Sequence, residues 1–308
     1  MPPDYVNTVP NAVASELIGG LQVESVAMQA GRVITVPSGV DYLPVVSAFP
    51  TAAFTNPAYG GRKAYGDFDI ENRQIMLEEI AVALAVPDAY VEDVSFPLWD
   101  ALRPMLQSAI AIVLDNAVLF GTGAPASYPA GGIRAVAGSA ITGADAAEAL
   151  SGAMSAVEAR GVLPDGIVMG TMGLGGIRAA QAAVGVPAIN ADAARQAYGL
   201  PLYPSLVWDP TGGDAFVGDW DALIVAIRQD IRYARSSEGV ITDAAGKVLV
   251  SAFQDNQTLF KAWLRVGVEI VPLVAPTPLL GGAAFAAADW TGGVTRETSS
   301  GRGSKSAS

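Results

Sequence analysis

The chain has 308 residues, of which 51% are hydrophobic, and its formal net charge is −12 at pH 7. It contains no cysteine and no histidine, which excludes disulfide bonds, thiolate nucleophiles, the usual zinc ligand sets and any Ser-His-Asp triad, and with them most enzyme classes. Without these side chains, we expect no enzymatic activity, cofactor or metal. The negative charge argues against binding to nucleic-acid phosphates, which needs clustered lysine and arginine.

Residues 1–33 are polar and rich in small side chains, and residues 17–21 are their one apolar cluster. This composition predicts an extended N-terminal arm with at most one helical turn. The first residues lack the basic start and apolar core of a signal peptide. The longest apolar runs are shorter than a membrane span, so we also expect no membrane segment and a protein made in a reducing cytoplasm.

Residues 34–86 predict a short strand, Val33–Val36, followed by a long β-hairpin. Its arms are Val45–Phe54 and Asp67–Val86, and turn-forming residues fill Asn56–Gly66 between them. A two-stranded ribbon alone in water is marginally stable, and the distal half is too charged to bury in its own core. We therefore expect the hairpin to lie on a neighbouring copy, although a hairpin folded back on its own domain remains an alternative. The expected contact residues are Tyr59, Arg62, Lys63, Tyr65, Asp67 and Arg73.

Residues 87–130 are dominated by one predicted long helix. Ser95 is its candidate N-cap, Pro104 starts or kinks its straight part, and Gly121 and Gly123 end it. No charge occurs between Arg103 and Asp115, so the helix must be covered on more than one side. An ordinary core helix is the simpler alternative. One predicted stripe contains Trp99, Leu102, Leu106, Ile110, Val113, Ala117 and Phe120.

Residues 131–225 alternate between helical and strand patterns, which predicts a compact α/β unit. Asp145 and Glu148 form a capping box that opens a helix ending near Arg160. The other predicted elements are a strand at Gly166–Met169, a helix at Leu174–Ala183, a helix capped by Asn190 and ending near Tyr198, and strands at Leu202–Trp208, Ala215–Val217 and Ala222–Ala234.

Residues 226–280 contain the clearest strand, Thr258–Val271, in which bulky apolar and polar residues alternate. Its length is sufficient to back the long helix, and prolines end it. From residue 281 the periodicity is lost, so 281–308 is predicted to be a C-terminal tail, flexible from Thr295 onward. The apolar face of the strand contains Phe260, Ala262, Leu264, Val266, Val268 and Ile270.

Three patterns invite a chemical interpretation. The glycine-rich stretch Gly170–Gly176 follows a strand and opens a helix, but it has neither the dinucleotide spacing nor the Lys-Ser/Thr of a phosphate loop, so we interpret it as a tight turn. The adjacent acids Glu78 and Glu79 point to opposite faces of a strand, and they and the pair at 92–93 are predicted to be solvated or interface charges. Lys63 is expected to form a salt bridge to another subunit.

In this order the elements resemble the major capsid proteins of tailed bacteriophages, which have the Hong Kong 97-type fold. The most specific local matches are Asp115–Gly123 followed by Pro129–Ile133, and Phe253–Asn256 leading into Arg265–Gly267 and Pro272. The resemblance covers nearly all of residues 30–280. It implies an α+β fold with an N-terminal arm, an extended hairpin called the E-loop, a peripheral domain (87–130 and 226–280) with a spine helix, and an axial α/β domain (131–225).

The resemblance implies a structural subunit that assembles with itself into pentamers and hexamers of an icosahedral phage head. Scaffolding, portal and decoration proteins are the implied partners, DNA is packaged without specific binding, and assembly takes place in the host cytoplasm. Some family members cross-link a hairpin lysine to an asparagine with help from a glutamate. Lys63 could supply the amine, but Phe260 or Lys261 and Gly267 occupy the other two places, so no cross-link is expected. The alternatives are an encapsulin-like nanocompartment shell and a small-molecule-binding α/β enzyme that uses the 170–176 turn.

Overall fold

The computed structural model describes residues 25–37, 40–48, 54, 69–89, 98–184, 189–190, 195–209, 213–228, 232–243, 245–271, 273–274, 281–282 and 284–290. A π-helical turn over Asn116–Phe120 continues the long helix Leu98–Asp115, and a 3-10 turn covers Trp220–Ala222. The helices are α1 Val26–Ala30, α2 Leu98–Asp115, α3 Gly132–Ala137, α4 Ala146–Glu158, α5 Thr171–Val184 and α6 Ala252–Asp255. The strands are β1 Arg32–Thr35, β2 Val40–Ala48, β3 Asp69–Met76, β4 Glu78–Pro87, β5 Ile141–Gly143, β6 Gly166–Gly170, β7 Ile189–Asn190, β8 Gln196–Ala197, β9 Leu200–Ser205, β10 Ala215–Gly218, β11 Leu223–Ile227, β12 Arg232–Ser236, β13 Val240–Thr242, β14 Val248–Ser251, β15 Gln257–Ile270, β16 Leu273–Val274, β17 Gly281–Gly282 and β18 Phe285–Trp290.

The long strand β15 is the centre of the first sheet. It pairs antiparallel with β4 along one edge and with β11 and then β12 along the other, and β1 adds a parallel strand outside β11. Between the pairs Ile227–Val266 and Arg232–Trp263, five residue steps on one strand face three on the other. The single strand predicted over Ala222–Ala234 is therefore two strands separated by extra residues.

The alternation predicted for β15 is present. Phe260, Leu264, Val266 and Val268 are buried, whereas Lys261 and Arg265 are exposed. Leu264, Val266 and Val268 belong to one core that also contains Leu106, Ile110 and Leu114 of α2. The bulky residues of β4, namely Ile80, Val82 and Leu84, pack against the same core. The long helix and the long strand thus share one hydrophobic core.

The second sheet has the order β5-β18-β10-β6-β9-β8-β7. One of its faces packs against α4 and α5 through residues such as Ile167, Val217 and Ala286. The opposite face places Val168, Phe216 and Ala287 in the core of the first sheet. Since both faces are buried, the central strands carry no polar alternation. The α/β alternation expected in this part of the chain is present, and the capping box is formed by Asp145, which accepts a hydrogen bond from the Glu148 N–H.

The prediction of a tail from residue 281 is wrong for Phe285–Trp290. This segment is β18, which pairs antiparallel with β10 and parallel with β5. Its three alanines have low strand propensity, and a strand buried on both faces gives no period-two signal. Residues 291–308, including the predicted flexible segment, lie outside the described residues.

The predicted N-terminal arm, residues 1–33, needs a correction in its last residues. Ser25 and the first residues of α1, Val26–Met28, are buried, so residues 25–28 belong to the core, whereas the predicted arm extended to residue 33. Small side chains were interpreted as a sign of an exposed segment, but in α1 they allow close packing. Residues 1–24 lie outside the described residues.

The described residues between Asn190 and Tyr198 do not form the predicted helix. Asn190 lies in β7, and β8 and β9 form a hairpin in which Ala197 pairs with Leu200. Tyr198 and Gly199 between them both have positive φ, +52° and +81°. A two-residue hairpin loop with two positive φ values matches the twist of the flanking strands, so the local turn overrides the helical pattern.

The hairpin differs from its prediction in extent. Its strands β2 and β3 pair from Val40 opposite Met76 to Ala48 opposite Asp69. The second predicted arm, Asp67–Val86, is broken at Leu77, after which β4 leaves the ribbon and pairs with β15. The tip at residues 49–68 lies outside the described residues, except for Phe54. The short helices α3 and α6 and the hairpin β13–β14 were not predicted.

The long helix ends at Gly121 as predicted, with Gly121 in the left-handed conformation. Leu106, Ile110, Ala117 and Phe120 are buried, Leu102 is half-buried, and the side chain of Trp99 lies outside the described residues. Val113 contradicts its place on the buried stripe because it is 49% exposed. Leu106, Ile110 and Leu114 mark the buried side of α2, and Val113 lies at the edge of that side.

One further expectation needs correction, that no segment reaches the length of a membrane span. Leu102–Phe120 has 19 residues and is apolar enough to cross a membrane by length and composition. Half of the segment is buried within the protein itself. Its burial against β4 and β15 accounts for the apolar composition of a core helix.

A pair of glycine substitutions tests the packing at the end of the long helix. Gly121 and Gly123 both have φ of +69°, but an added Cβ at Gly121 would lie 2.5 Å from the Gly131 Cα, and one at Gly123 meets no described atom within 4 Å. Alanine at either position strains the backbone by about 1–3 kcal/mol. We expect Gly121→Ala to lower the free energy of unfolding by a further ~1–3 kcal/mol through overpacking. Equal losses for both variants in urea denaturation would contradict the close approach.

Candidate assembly surfaces

The junction between α1 and α2 is held by a buried carboxylate. The Ser25 hydroxyl donates a 2.6 Å hydrogen bond to Asp115 Oδ1. The backbone N–H groups of Val26 and Ala27 donate 3.1 Å bonds to Oδ2 and Oδ1. Burial raises the pKa of the Asp115 carboxyl, and the bonds from Ser25, Ala27 and Val26 oppose that rise. This junction fixes the first described residues of the chain to the long helix.

The root of the hairpin is fixed to β15 at Gly267. A Cβ at this position would lie 2.6 Å from both the Met76 carbonyl oxygen and a methyl group of Ile75, and Ile75 is itself buried. Arg73 lies beside the same strand, with its guanidinium 3.5 Å from Glu269 and 3.6 Å from Glu71. Burial raises the pKa of Glu269, and Arg73 opposes this rise. Only glycine leaves room at 267, so an acid there would displace the hairpin root.

Beyond its root, the hairpin is exposed. The first four residues of β3, Asp69–Asn72, are exposed to solvent. The ribbon also carries the exposed apolar or aromatic side chains of Tyr42, Ile70 and Met76. Arg73 is the one predicted contact residue that is described. The other predicted contact residues, Tyr59, Arg62, Lys63, Tyr65 and Asp67, lie outside the described residues.

The long helix keeps an uncovered apolar face. Met105 is 67% exposed, and Ile112 and Val113 are also exposed. Residues 105 and 112 are two helical turns apart, so they lie on the same side of α2. The described residues of the chain therefore cover α2 on only one side.

The outward face of β15 is basic although the chain is acidic. Lys261 and Arg265 lie on either side of Trp263, and Glu79 on β4 is within 3.8 Å of Lys261 and 3.9 Å of Arg265. The Lys261 ammonium lies 4.7 Å from the Trp263 ring centroid. Arg228 and Arg232 join Trp263 and Arg265 around a small pocket. Glu78 accepts a hydrogen bond from the Ser127 hydroxyl, so the two adjacent acids point to opposite faces of β4, as predicted, and each has a partner within the chain.

The glycine-rich turn after β6 is filled by aromatic side chains. A Cβ at Gly170 would lie 2.5 Å from Trp208, and Gly173 and Gly176 contact the Trp290 indole. Trp208 packs in turn on Phe120 and Phe216, with ring centroids 5.3 and 5.1 Å away. The indoles occupy the space in which a phosphate would approach the backbone. The glycines are therefore explained by packing, but the predicted turn is shorter than expected, because α5 begins at Thr171 directly after β6.

One acidic cluster was not predicted. The carboxylates of Asp165, Asp219 and Asp221 come within 4.8 Å of one another, the first from the segment before β6 and the others from the segment between β10 and β11. Asp165 accepts a 2.8 Å hydrogen bond from the Trp220 N–H, and Asp219 accepts one from the Asp221 N–H. Burial raises the pKa of Asp165 and of Asp219. These bonds give the cluster a structural role in turning the chain between β10 and β11.

The chain matches the model of one protein family. The model of the phage capsid family matches residues 6–272. The comparison with curated proteins finds no match.

The fold is similar to that of several solved structures. A chain from Microbacterium phage Oxtober96 superposes with a TM-score of 0.70 at 22% identity, over 87% of this chain and 91% of that one. A chain from Mycobacterium phage Adephagia gives a TM-score of 0.70 at 21% identity, over 88% and 91%. A chain of a structure titled as the capsid of a native GTA particle gives 0.58 at 18% identity, over 94% and 96%.

The pH dependence of stability tests the Asp115 junction. The folded state binds the Asp115 proton more tightly than the unfolded chain does, because burial raises its pKa. Protonation therefore stabilises the fold, and this contribution is lost as pH rises through the folded-state pKa. We expect the free energy of unfolding of the native chain, relative to Asp115→Asn, to fall from about pH 3.9 upward and then to level off. Urea denaturation over a pH series measures it, and a relative stability that rises with pH would contradict this environment.

Proposed function

Because this chain belongs to the phage capsid family, we propose that it is the repeating shell subunit of an icosahedral phage head that encloses double-stranded DNA. The family assigns it a structural part in the virion shell. The observation that carries the proposal is that the described residues leave the ribbon β2–β3 and one face of the long apolar helix exposed. Neighbouring copies supply the missing cover, and burial of apolar area drives their association.

In this proposal, each part of the Hong Kong 97-type fold corresponds to a helix, ribbon or sheet of the structure. The ribbon β2–β3 is the E-loop that lies on an adjacent subunit, α2 is the spine helix, and the sheet around β15 is the peripheral domain. The seven-stranded sheet with α4 and α5 is the axial domain, which meets its copies around five- and six-fold axes. Isologous or cyclic repetition of these contacts closes the shell.

The charge of the chain suits this function. A shell of subunits with a net charge of −12 does not bind the phosphates of packaged DNA tightly. A motor can therefore pump the DNA in, and the DNA can leave again. Portal, scaffolding and decoration proteins complete the assembly in this proposal, which takes place in the host cytoplasm. The absence of room at Gly267 supports a shell without the lysine–asparagine cross-link, since the assisting acid has no place there.

Two alternatives remain distinct from this proposal. An encapsulin-like shell would use the same surfaces around a protein cargo, and neighbouring genes for a portal and terminase or for a cargo enzyme would separate the two. A small-molecule-binding enzyme would need space at the 170–176 turn, which Trp208 and Trp290 fill. Nucleotide binding by a protein that forms no particles would favour the enzyme.

Deletion of the hairpin tip tests its role. Removal of Asn56–Gly66 leaves the described core intact, so we expect a folded protomer with an unchanged circular dichroism spectrum. The same protein should form capsomers or shells poorly, because the contact with the adjacent subunit is lost. Negative-stain microscopy and sedimentation measure the outcome, and normal shells from the deletion variant would refute the role of the hairpin.

A substitution on the open face of α2 tests the second surface. Met105 is 67% exposed in the single chain, so Met105→Glu should leave the free energy of unfolding within about 0.5 kcal/mol of the native value. Loss of a Met burial of about 1.5–3 kcal/mol should weaken association roughly tenfold or more per contact. Met105→Leu is the matched control and should assemble normally. Equal assembly of the Glu and Leu variants would show that this face stays open in the shell.

A further inference from the structure

A cleft of about 340 Å³ opens between α1, the second half of α2 and the segment after β9. Its apolar wall includes Ile112, which is 44% exposed, and Leu206, which is 89% exposed. Gln29 and Asp115 line it at the α1 side, and Arg195 lies at the other rim. The cleft therefore presents apolar side chains that no described part of the chain covers.

We propose that residues 16–24 of the same chain lie in this cleft, with Leu17, Ile18 and Leu21 against Ile112 and Leu206. The described chain begins at Ser25, whose hydroxyl is bonded to Asp115 in the cleft wall. The segment before Ser25 is therefore tethered next to the cleft wall. Leu21 lies four residues before Ser25, within about 14 Å of extended chain, and Ile18 within about 25 Å.

The chemistry of the segment complements that of the cleft. Leu17, Ile18 and Leu21 are the only leucine or isoleucine residues in the first 24, and Gly19 and Gly20 between them let the backbone approach the wall closely. Residues 1–31 contain no lysine or arginine, whereas Glu16 and Glu24 flank the apolar residues. Arg195 takes part in none of the ion pairs found among the described residues, so its guanidinium can pair with either acid.

The other segments that adjoin the cleft fit it less well. Residues 191–194, which precede Arg195, are Ala-Asp-Ala-Ala, and residues 210–212, which follow the wall, are Pro-Thr-Gly. Neither contains a large aliphatic side chain. A second copy of residues 16–24 has the same chemistry, but its local concentration is lower than that of a segment tethered at Ser25. This inference concerns the single chain and does not depend on the formation of a shell.

Engineered disulfides test the position of the segment, because the chain has no cysteine of its own. Three double variants combine Leu206→Cys with Leu17→Cys, Ile18→Cys or Leu21→Cys, and matched controls replace Leu206→Cys by Leu163→Cys. Leu163 is 80% exposed and lies outside the cleft. A disulfide needs Cα atoms within about 7 Å. We expect at least one Leu206 pair to form an intrachain disulfide on oxidation of dilute unassembled protein, identified by peptide mass mapping.

Intrachain linkage no greater than in the Leu163 controls would overturn the proposal, and so would linkage only between chains, which would assign the cleft to a second copy. Shell formation is scored separately on the native chain by negative-stain microscopy. A native chain that forms shells while its disulfide variants stay unlinked would thus disprove this inference and leave the proposed function standing.

A second measurement uses cleavage by a glutamate-specific protease at Glu16 and Glu24. Leu206→Asp places a charge in the cleft and should release the segment, so that cleavage becomes roughly tenfold faster. Leu163→Asp is the matched control and should leave the rate unchanged. An unchanged cleavage rate in Leu206→Asp would contradict the occupancy of the cleft by residues 16–24.

Discussion

The structure depends on the burial of one face of β15. This strand is fourteen residues long, and its apolar face is covered by α2 while its two edges are taken by β4 and by β11 with β12. Because β4 follows directly on β3, the same pairing determines where the hairpin leaves the body of the protein. Gly267 sets the distance at this point, since the Met76 carbonyl lies where a side chain would be.

The far end of α2 joins the two sheets. Phe120 contacts Trp208 and Phe216 of the seven-stranded unit, with ring centroids 5.3 and 5.9 Å away, and Gly121 allows the chain to turn beside Gly131. The core is therefore continuous from β15 to β10, and the long helix ties the two units together. Asp115 adds the first described residues to this joint through Ser25. The described residues leave Met105 and Val113 of α2 and the ribbon exposed, and these are the surfaces that the proposed assembly would cover.

Sequence patterns predicted the elements whose environment differs between two faces. The alternation in β15 and the capping box at Asp145 are local signals with a direct structural cause, and both are present. Patterns failed where both faces are buried or where a turn decides the outcome. The strand Phe285–Trp290 has no polar face to mark it, and positive φ at Tyr198 and Gly199 replaces a predicted helix by a hairpin. Val113 is exposed because it lies at the edge of the side of α2 that Leu106, Ile110 and Leu114 bury. The acidic cluster at Asp165 joins residues more than fifty positions apart, which no local pattern encodes.

The central claim is that one copy of this chain cannot cover its own apolar and extended surface. The most direct measurement is the mass distribution of the purified full-length protein at physiological salt, obtained by mass photometry over a dilution series together with negative-stain images. The account predicts capsomers and closed shells in equilibrium with, or in place of, the single chain. A stable 31.5 kDa species at every concentration, with no particles in the images, would contradict it.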